Sequence, residues 1–496
     1  LLFLNCSDYL DVDTDKDNPT TAPLNLLLTN IEVNLANTTD FNVYSGSALS
    51  TYTHQFTMRQ EQDQYGLQVA NIPMTNEWDN IYSTLTNIET LINSGSESGN
   101  LIYVGLAQIQ KAYIMSIAVD LWGNIPYSEA SSLQTGIINP KFDDQKAVYQ
   151  GLIVLLDDAI KDLKANTFAS TYSGSDIVFK GSNSSWIKFA NSMKLRILMR
   201  QSKVAGRDAY ITAEINKIVA EGSGFITGAE VGVNPGYNPS AGQINPFYDT
   251  YGYSETNARR AFNNWPRNTA FFINTLKSTG DTTRMKRIAY AIGNENSANP
   301  GVSVKPEIAD NYVGVPLGSS SGYLPAVTSA PGPSVLVRGV YNKPMVLMTA
   351  AEVQLNLAEA KQRYGASVTL TGTAKSYFDA GVTESYRALG AVSTDAARLL
   401  ASGVDLSDFN ASTNKLNAIA YQKWLALANF NGLEAWSEYR KSGFPVTPQS
   451  INYVGSASTR PTRLFYPGTE LGSNGENVKA QGTIDVLATK IFWDVD

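Results

Sequence analysis

The rarest reactive side chains in this chain limit the chemistry that it can perform. Its 496 residues contain one histidine, His54, and one cysteine, Cys6. A catalytic triad needs a nucleophile in contact with a general base, and histidine is both the usual base and the commonest metal ligand. His54 lies in the polar stretch TYTHQFTMRQ, outside any motif that activates a nucleophile. We therefore predict a structural, hydrogen-bonded His54, and the single cysteine excludes an intrachain disulfide.

Carboxylates are the remaining candidates for catalysis, because a glycosidase needs only two of them. The chain has 45 aspartates and glutamates, so an all-α glycoside hydrolase stays open as an alternative. HExxH and GxxxxGK[ST] motifs are absent from the sequence. Asp120, Glu129, Glu352 and Glu359 fall in helical segments, where we predict that they end helices or pair with a nearby Lys or Arg.

Four aspartates at alternate positions after the cysteine resemble the start of a calcium loop. They are Asp11, Asp13, Asp15 and Asp17. An EF-hand loop also needs glycine at its sixth position and glutamate at its twelfth, but these positions hold Lys16 and Ala22. We therefore predict an acidic, solvated tether without a metal, and we expect the protein to need no cofactor.

A region rich in Gly, Pro, Asn, Ser and Tyr runs from residue 221 to 340 and largely lacks helical period. Its stretches 228–256 and 311–334 are longer than simple connections, and structureless loops of this length in a compact protein are usually functional or disordered. Their many aromatic residues argue against disorder. We predict a packed loop region that presents aromatic rings to a ligand.

Five aromatic residues are the candidate ligand-binding residues, each predicted to offer a ring face for stacking. They are Trp265, Tyr251, Tyr253, Tyr323 and Tyr65. Trp265 precedes Pro266, and a proline restricts the backbone before it, which can hold an indole in place. Tyr251 and Tyr253 flank one glycine, a spacing that puts both rings on one side of an extended chain.

Net charge and charge patterning exclude nucleic acid as a partner. Lys plus Arg is 38 against 45 Asp plus Glu, a formal net charge of -7. The sequence has no run of basic residues that would follow a phosphate backbone. Only 17% of the residues are charged, while Asn, Ser, Thr, Gly and Tyr are frequent, a composition more usual outside the cytoplasm.

The helical elements that must position these residues are arranged around the apolar segment 101–130. Residues 106–122 form a run too long for one strand and rich in helix formers. Polar and charged residues interrupt this run too often for a bilayer span, so it is predicted to be a buried core helix. Gly123 tolerates a left-handed cap and Pro126 cannot continue a helix, so the chain must turn there.

Apolar residues at spacings of three and four predict further helices that group into four consecutive pairs. The pairs are 75–92 with the helix from 101, 146–165 with 185–202, 345–365 with 374–389, and 414–430 with 432–443. Four helix pairs suggest a short solenoid. A chain of this length exceeds a single core of about 250 to 300 residues, which a solenoid or two lobes would accommodate.

Six stretches, in order along the chain, resemble signatures of the SusD/RagB family of outer-membrane nutrient-binding lipoproteins. They are CSDYLDVDTDKDNPT (6–20), DLWGNIPYSEA (120–130), WIKFANSMKLRILMR (186–200), MTAAEVQLNLAEAKQRYG (348–365), AYQKWLALANFNGLEAWSEYRKSGFP (420–445) and RLFYPGTELGSNGENV (463–478). The resemblance implies a predominantly all-α fold, a TPR-like α-helical superhelix of four helix pairs with a long loop-rich insertion and few short strands.

The start of the chain supports a lipid anchor. Four apolar residues stand just before Asn5 and Cys6, like the end of a secretory signal peptide. Residues 1–5 are thus expected to be a signal-peptide remnant, and 6–22 a tether lipidated at Cys6. Residues 23–496 would form one domain, with the ligand-binding insertion at about 205–340.

The resemblance also implies a function. The protein is expected to be a surface-exposed, lipid-anchored outer-membrane protein that binds an oligosaccharide or another nutrient. It would pass this ligand to a SusC-like TonB-dependent β-barrel transporter without performing catalysis. The alternatives are the glycoside hydrolase and a peptide-binding or protein-interaction solenoid, although a pure interaction solenoid would not need the aromatic loops.

Overall fold

The computed structural model describes residues 22–38, 48–59, 75–132, 136–293, 305–319, 321–452 and 460–495. Cys6, most of the predicted tether and Tyr65 lie outside these residues. Within them helices dominate and strands are few and short, so the prediction of a predominantly all-α fold is confirmed.

The helices of the described residues follow the chain from the N-terminal to the C-terminal part. They are α1 (Leu24–Thr38), α2 (Ala48–Tyr52), α3 (Thr75–Glu97), α4 (Leu101–Trp122), α5 (Gln145–Ala165), α6 (Asn183–Arg200), α7 (Asp208–Glu221), α8 (Pro246–Tyr251), α9 (Ala270–Ser278), α10 (Thr282–Ile288), α11 (Ala350–Tyr364), α12 (Ala374–Leu389), α13 (Ser393–Leu400), α14 (Lys415–Leu427), α15 (Gly432–Ser442), α16 (Gly468–Ser473) and α17 (Gly475–Lys479). Short 3-10 turns occupy Ser170–Ser175, Ala309–Asn311, Pro325–Val327 and Gly365–Ser367.

The strands of the described residues form two-stranded antiparallel pairs. They are β1 (Phe56–Met58), β2 (Ile125–Pro126), β3 (Phe142–Asp143), β4 (Val231–Val233), β5 (Pro266–Asn268) and β6 (Met345–Met348). β1 pairs with β5, β2 with β3, and β4 with β6. The first and third pairs join parts of the chain that are far apart in sequence, so they tie the loop-rich region to the helices.

The four predicted helix pairs are all present. α3 packs on α4, α5 on α6, α11 on α12, and α14 on α15. Side-chain caps explain where several of these helices begin: Asp144, Ser182, Thr349 and Asn414 each accept a hydrogen bond from a backbone N–H in the first turn.

Helix α4 is the central element of the largest core. Of the described helices it alone has the length and hydropathy of a membrane span, but 89% of its most apolar window is buried inside the protein. The prediction of a core helix is therefore confirmed. Gly123 ends the helix with a φ of 77° and donates its N–H to the Val119 carbonyl, a conformation that favours glycine.

The loop-rich region contains three helices that the sequence reading missed, namely α8, α9 and α10. Asn245 caps α8 by accepting from the Tyr248 N–H, and Pro246 occupies the first turn. Thr269 caps α9 in the same way. Because α8 runs to Tyr251, the expectation of extended chain around this tyrosine is wrong. These helices are too short to show a clear helical periodicity in the sequence, and tertiary contacts stabilise them.

A buried ion network forms where α4, α6, α11, α14 and α15 meet. Its side chains are all less than a tenth exposed, and many of them line one small void. The members are Asp120, Arg196, Arg200, Glu352, Glu359, Lys423, Glu434, Glu438, Arg440 and Lys441. Five cations thus face five carboxylates, which keeps the core close to neutral.

The first half of the buried ion network is centred on two arginines of α6. Arg196 contacts Glu352 through two parallel bonds, from Nε to Oε1 at 2.6 Å and from Nη2 to Oε2 at 2.8 Å. Arg200 pairs with Glu434 and, at 3.3 Å, with Asp120. Bidentate arginine pairs of this kind add geometric specificity to their charge. They fix the angle at which α6 meets α11, α15 and α4.

The second half joins α11 to α14 and α15. Lys423 lies 2.8 Å from Glu438 and 3.2 Å from Glu359, and Lys441 lies 2.6 Å from Glu359 and 2.9 Å from Glu438. Burial alone would raise the pKa of Glu438, but Lys423 and Lys441 outweigh burial and hold this pKa below its ordinary value. Each charge therefore depends on its partners to remain ionised.

The structure also shows the partners of the four carboxylates that the sequence places in helical segments. Asp120, Glu352 and Glu359 are buried and paired with arginine or lysine, and Glu129 pairs with Lys141 on the surface. The prediction that these residues are partners of nearby cations is confirmed.

Removing Arg196 tests whether the buried ion network holds the helices together. Arg196→Met keeps the volume but leaves Glu352 buried without its bidentate partner, so we expect a loss of about 3 to 5 kcal/mol of unfolding free energy. The matched control is Arg398→Met, because Arg398 is 71% exposed in its pair with Asp395 and exposed pairs contribute about 1 kcal/mol or less. Chemical denaturation measures both, and equal losses would contradict the prediction.

Candidate functional site

The candidate site is built on the β1/β5 pair, whose ladder extends beyond the two strands. Thr269 donates its backbone N–H to the Gln55 carbonyl, and Arg59 donates its own to the Trp265 carbonyl. The pairing therefore runs over 55–59 and 265–269, with Arg59 directly opposite Trp265.

This ladder is anchored to the helical core through α14. The Gln55 side chain donates to the Trp424 carbonyl at 2.7 Å, and the Trp424 indole donates to the Thr53 carbonyl at 3.0 Å. Trp424 is the neighbour of Lys423, a member of the buried ion network. The position of the ladder is thus fixed by the same helix that carries part of this network.

Strand geometry places three candidate residues on one face of the ladder. Side chains alternate between faces along a strand, so Trp265 and Arg267 share a face. Arg59 lies opposite Trp265 and joins them on that face. The Arg59 Nε donates to the Asn264 carbonyl at 2.9 Å, which holds the guanidinium against the backbone that carries the indole.

Exposed apolar side chains surround this face. Phe262 and Trp265 are 52% and 38% exposed, with ring centroids 6.1 Å apart and planes at 71°. A hydrogen bond of 2.9 Å from Arg267 Nε to Thr328 Oγ1 brings the 324–328 segment beside β5, and Leu324 and Val327 on this segment are exposed. We call Arg59, Phe262, Trp265 and the exposed 324–327 segment the aromatic face.

Arg267 lies two positions after Trp265 on the same face of the ladder and is fully buried. Its Nη1 donates to the Pro266 carbonyl at 2.6 Å, while Nη2 has no hydrogen-bond partner among the described residues. Burial, followed by repulsion from Arg59 and Arg259, lowers the pKa of Arg267 to about 9. The buried Arg267 cation therefore adjoins the aromatic face, and no carboxylate in the described part of the chain pairs with it.

The five predicted ligand-binding residues differ in how far the structure exposes them. Trp265 is exposed, as a stacking platform requires. Tyr253 is fully buried and packs against Tyr248, with ring centroids 6.1 Å apart. Its face is covered by protein, so the expectation of an exposed ring at Tyr253 is wrong.

The other tyrosines occupy intermediate positions. Tyr251 ends α8, is half-buried and packs against Phe247, with ring centroids 5.4 Å apart. Tyr323 is also half-buried and precedes the exposed 324–327 segment, so it lies near the aromatic face in sequence. Tyr65 lies outside the described residues. Whether Trp265, Tyr251, Tyr323 or Tyr65 contacts a ligand stays a prediction.

Sequence reasoning missed the arginines of this face. Arg59 and Arg267 are 208 positions apart in the chain, and only the register of the β1/β5 ladder brings them together. Phe262 carried a weak signal, because it belongs to the same loop as Trp265 at a spacing of three. No local sequence pattern identifies an arginine that lies across a non-local strand pair.

A cavity of about 390 Å³ opens at the opposite end of the ladder. Its walls include His54, Phe271, Asn274, Thr275, Leu317 and Ile451. His54 is buried, and its ring meets Phe271 edge-on, with centroids 6.0 Å apart. Burial, followed by the charge of Arg460, lowers the pKa of His54 to about 3. The imidazole is therefore neutral at physiological pH, in agreement with a structural role.

Metal-binding chemistry finds no support in the described residues. No group of three or more His, Cys, Asp or Glu side chains is placed to hold an ion there. The alternate aspartates of the predicted tether lie outside these residues. What the aromatic face offers is non-covalent: ring faces for stacking and guanidinium N–H groups for hydrogen bonds.

Comparison with protein families identifies the chain. A SusD-like family model, described as "Starch-binding associating with outer membrane", matches residues 16–467. The chain belongs to the SusD-like family. This confirms the resemblance seen in the six sequence stretches. A search of curated protein sequences gives no match.

Solved structures of SusD homologues share the fold over nearly the whole chain. A homologue from Bacteroides uniformis is 24% identical, with a TM-score of 0.73 and coverage of 95% of this chain and 99% of the other. A chitin-binding SusD homologue from Flavobacterium johnsoniae is 22% identical, with a TM-score of 0.72 and coverage of 95% and 98%. A third, from Bacteroides vulgatus, is 20% identical, with a TM-score of 0.74 and coverage of 94% and 97%.

The lowered pKa of His54 predicts a pH dependence of stability that its replacement should remove. In the unfolded chain the imidazole has an ordinary pKa near 6.5 and binds a proton as the pH falls, while folded His54 stays neutral down to about pH 3. Stability is therefore present above the unfolded pKa and lost below it. Between about pH 7.5 and about pH 5 the wild type should lose about 2 kcal/mol through this residue.

His54→Asn is the matched variant, because His54 has a φ of 57° and asparagine tolerates this conformation. Urea unfolding of both proteins at the two pH values isolates the histidine, since the carboxylates contribute equally to each. The variant should lose about 2 kcal/mol less than the wild type on acidification. An identical pH dependence in both proteins would show that His54 is not held neutral.

Proposed function

We propose that this protein binds a glycan on the aromatic face as the ligand-capture component of a nutrient-uptake system. The observation that carries the proposal is the exposed Phe262–Trp265 pair beside the Arg59 guanidinium, on a ladder anchored to α14. Exposed aromatic rings that lie together on a rigid strand pair, beside a donor of several hydrogen bonds, are typical of a ligand-binding site.

The chemistry of the face suits a sugar ring. The C–H face of a pyranose is apolar and stacks on an aromatic ring, while its hydroxyl groups accept hydrogen bonds from arginine. An aromatic contact contributes about 0.5 to 1.5 kcal/mol beyond its buried area, and a neutral hydrogen bond contributes about 0.5 to 1.5 kcal/mol net. After ordering costs, a few of each correspond to micromolar to millimolar dissociation constants. A protein that must release its ligand again needs no tighter binding.

Family and relatives support a glycan as the ligand class. The family description names starch, and two of the solved relatives are called chitin-binding. Both polymers are neutral glucose-type polysaccharides, so the shared property is recognition of pyranose rings. Binding without turnover is proposed, since Asp120, Glu352 and Glu359 are committed to ion pairs in the core.

The proposed location is the outer membrane, with the chain held on the surface through lipid on Cys6. The family description associates these proteins with the outer membrane, and an apolar stretch followed by the single cysteine is typical of a lipidated N-terminus. The proposed partner is a SusC-like TonB-dependent β-barrel, to which the bound glycan would be delivered.

Replacing Trp265 tests the aromatic face directly. Trp265→Ala should weaken binding of the cognate glycan by roughly 1 to 3 kcal/mol, the range found for aromatic anchors. The matched control is Tyr172→Ala, since Tyr172 is another exposed ring, 47% accessible, on the Ser170–Ser175 turn. Isothermal titration against a glycan panel measures both variants, with melting temperatures confirming that they fold.

The same incubations test for catalysis. Chromatography of the glycans after incubation should show no products. Product formation that one carboxylate substitution abolishes would make the protein a hydrolase. Unchanged affinity in Trp265→Ala would place the binding site elsewhere.

Membrane anchoring and partnership are tested together with the full-length precursor expressed in its native membrane. The wild type should fractionate with the outer membrane and, in mild detergent, purify with a protein of β-barrel size. Cys6→Ala should move to the soluble fraction, because the multiply acylated cysteine that anchors the chain is lost. Cys6→Ala that remains in the membrane would contradict the anchor, and wild type recovered alone in several detergents would contradict the partner.

A further inference from the structure

We propose that the saccharide bound on the aromatic face is acidic, with carboxylate or sulfate groups that pair with Arg59 and lie in the field of Arg267. This inference rests on the proposed function and deepens it by assigning the charge of the ligand. It follows from how Arg59 and Arg267 are partnered: neither has a described carboxylate within ion-pair distance.

Arg267 is the first observation. Two other fully buried or nearly buried arginines have carboxylate partners: Arg196 pairs with Glu352 and Arg284 with Asp281, each within 2.6 Å. Arg267 instead donates to one hydroxyl and one carbonyl, and its Nη2 has no hydrogen-bond partner in the described residues. A buried charge without a counter-ion is costly to keep. Its retention is explained if a negative charge arrives from outside.

Arg59 is the second observation, because it is the less buried of the two arginines. Its Nε donates to the Asn264 carbonyl, and no described carboxylate lies within ion-pair distance of it. Arg59 is half-buried, and only the Nε of its guanidinium donates to a described partner, which leaves its two terminal amino groups without one among the described residues. A planar fork of N–H donors in this position matches a carboxylate or a sulfate.

Among the described residues, the carboxylates of the loop before β5 do not cancel these charges. Asp249 and Glu255 both pair with Arg260, further along the loop. The influences that set the pKa of Arg267 are burial and then the positive charges of Arg59 and Arg259, with no carboxylate among them. The two guanidinium groups therefore repel each other within the described structure, and an anion bound at Arg59 offsets that repulsion.

A neutral sugar would leave this repulsion in place. Its hydroxyl groups accept hydrogen bonds from Arg59, but they bring no negative charge to offset the two guanidinium groups. The whole chain has a formal net charge of -7, so attraction of a polyanion must be local to this face. The electrostatic preference should therefore depend on a few residues and on the ionic strength.

Pairs of ligands that differ only in charge test the inference. Oligogalacturonate is compared with its methyl ester, and dextran sulfate with dextran of equal length, so that carboxylates and sulfates are examined separately. Titration of the whole protein with each ligand should show at least about tenfold tighter binding of the charged member of one pair, equivalent to about 1.4 kcal/mol. Raising the salt from about 0.1 M to about 1 M shortens the Debye length from about 10 Å to about 3 Å and should reduce this preference.

Arg59→Gln should lose most of the preference while retaining the stacking contribution of Trp265. Arg398→Gln is the matched control, because it removes one positive charge from an exposed residue of α13, and it should keep the preference. If Arg398→Gln reduces the preference as much as Arg59→Gln, net charge alone is responsible and the inference is wrong.

The possible outcomes separate this inference from the proposed function. Neutral glycans, including chitin oligosaccharides, are the decisive comparison. If they bind through Trp265 as tightly as the charged glycans do, the inference of an acidic ligand is wrong and the proposal of glycan binding stands. No binding of any glycan in the panel overturns both. Tighter binding of a poly-glutamate peptide than of every glycan keeps the charge assignment but overturns the saccharide.

Discussion

Pairing of buried charges is the constraint on which the rest of this structure depends. The buried ion network draws its members from five helices that span residues 101–442 of the chain. A buried charge tolerates no displacement of its partner, because the penalty of leaving it alone exceeds what apolar packing supplies at one position. Apolar contacts bring these helices together, and the ion pairs determine at which angle and register they meet. The position of the aromatic face depends on the same ion pairs, because Trp424, which hydrogen-bonds to the chain at the start of β1, is the neighbour of Lys423 in the network.

Helix pairs were predictable because each depends on residues close in sequence. The apolar spacing in 75–97 or 350–364 indicates one buried face of a helix, which requires no knowledge of distant parts of the chain. Glu352 and Glu359 could likewise be assigned to ion pairs, since a carboxylate in an apolar helix needs a cation nearby. Their partners on α6 and α14 could not be named, because the docking of distant helices decides which cation arrives.

The aromatic face was predictable only in part. Trp265 was identified through the proline that follows it, but the same reading gave Tyr253 an exposed ring that the structure packs against Tyr248. In both cases the local sequence reports an aromatic residue in a loop, and only tertiary packing decides which ring is covered. The arginines were invisible for a related reason: a strand pair of five residues, formed across 208 positions, has too little pattern to be recognised on either side.

Helix α4 has a consequence for a chain that crosses a membrane before it folds, as the proposed location requires. During that passage the segment meets the translocation channel without the neighbours that later bury it, and its hydropathy is that of a spanning helix. Lys111 lies at the middle of the segment, where a charge adds about 2.5 to 3.5 kcal/mol to the cost of lateral insertion into the bilayer. The lysine that pairs with Glu89 in the folded protein thus also opposes arrest of the nascent chain in the lipid. A residue selected for the folded state would in this way protect the export of the unfolded one.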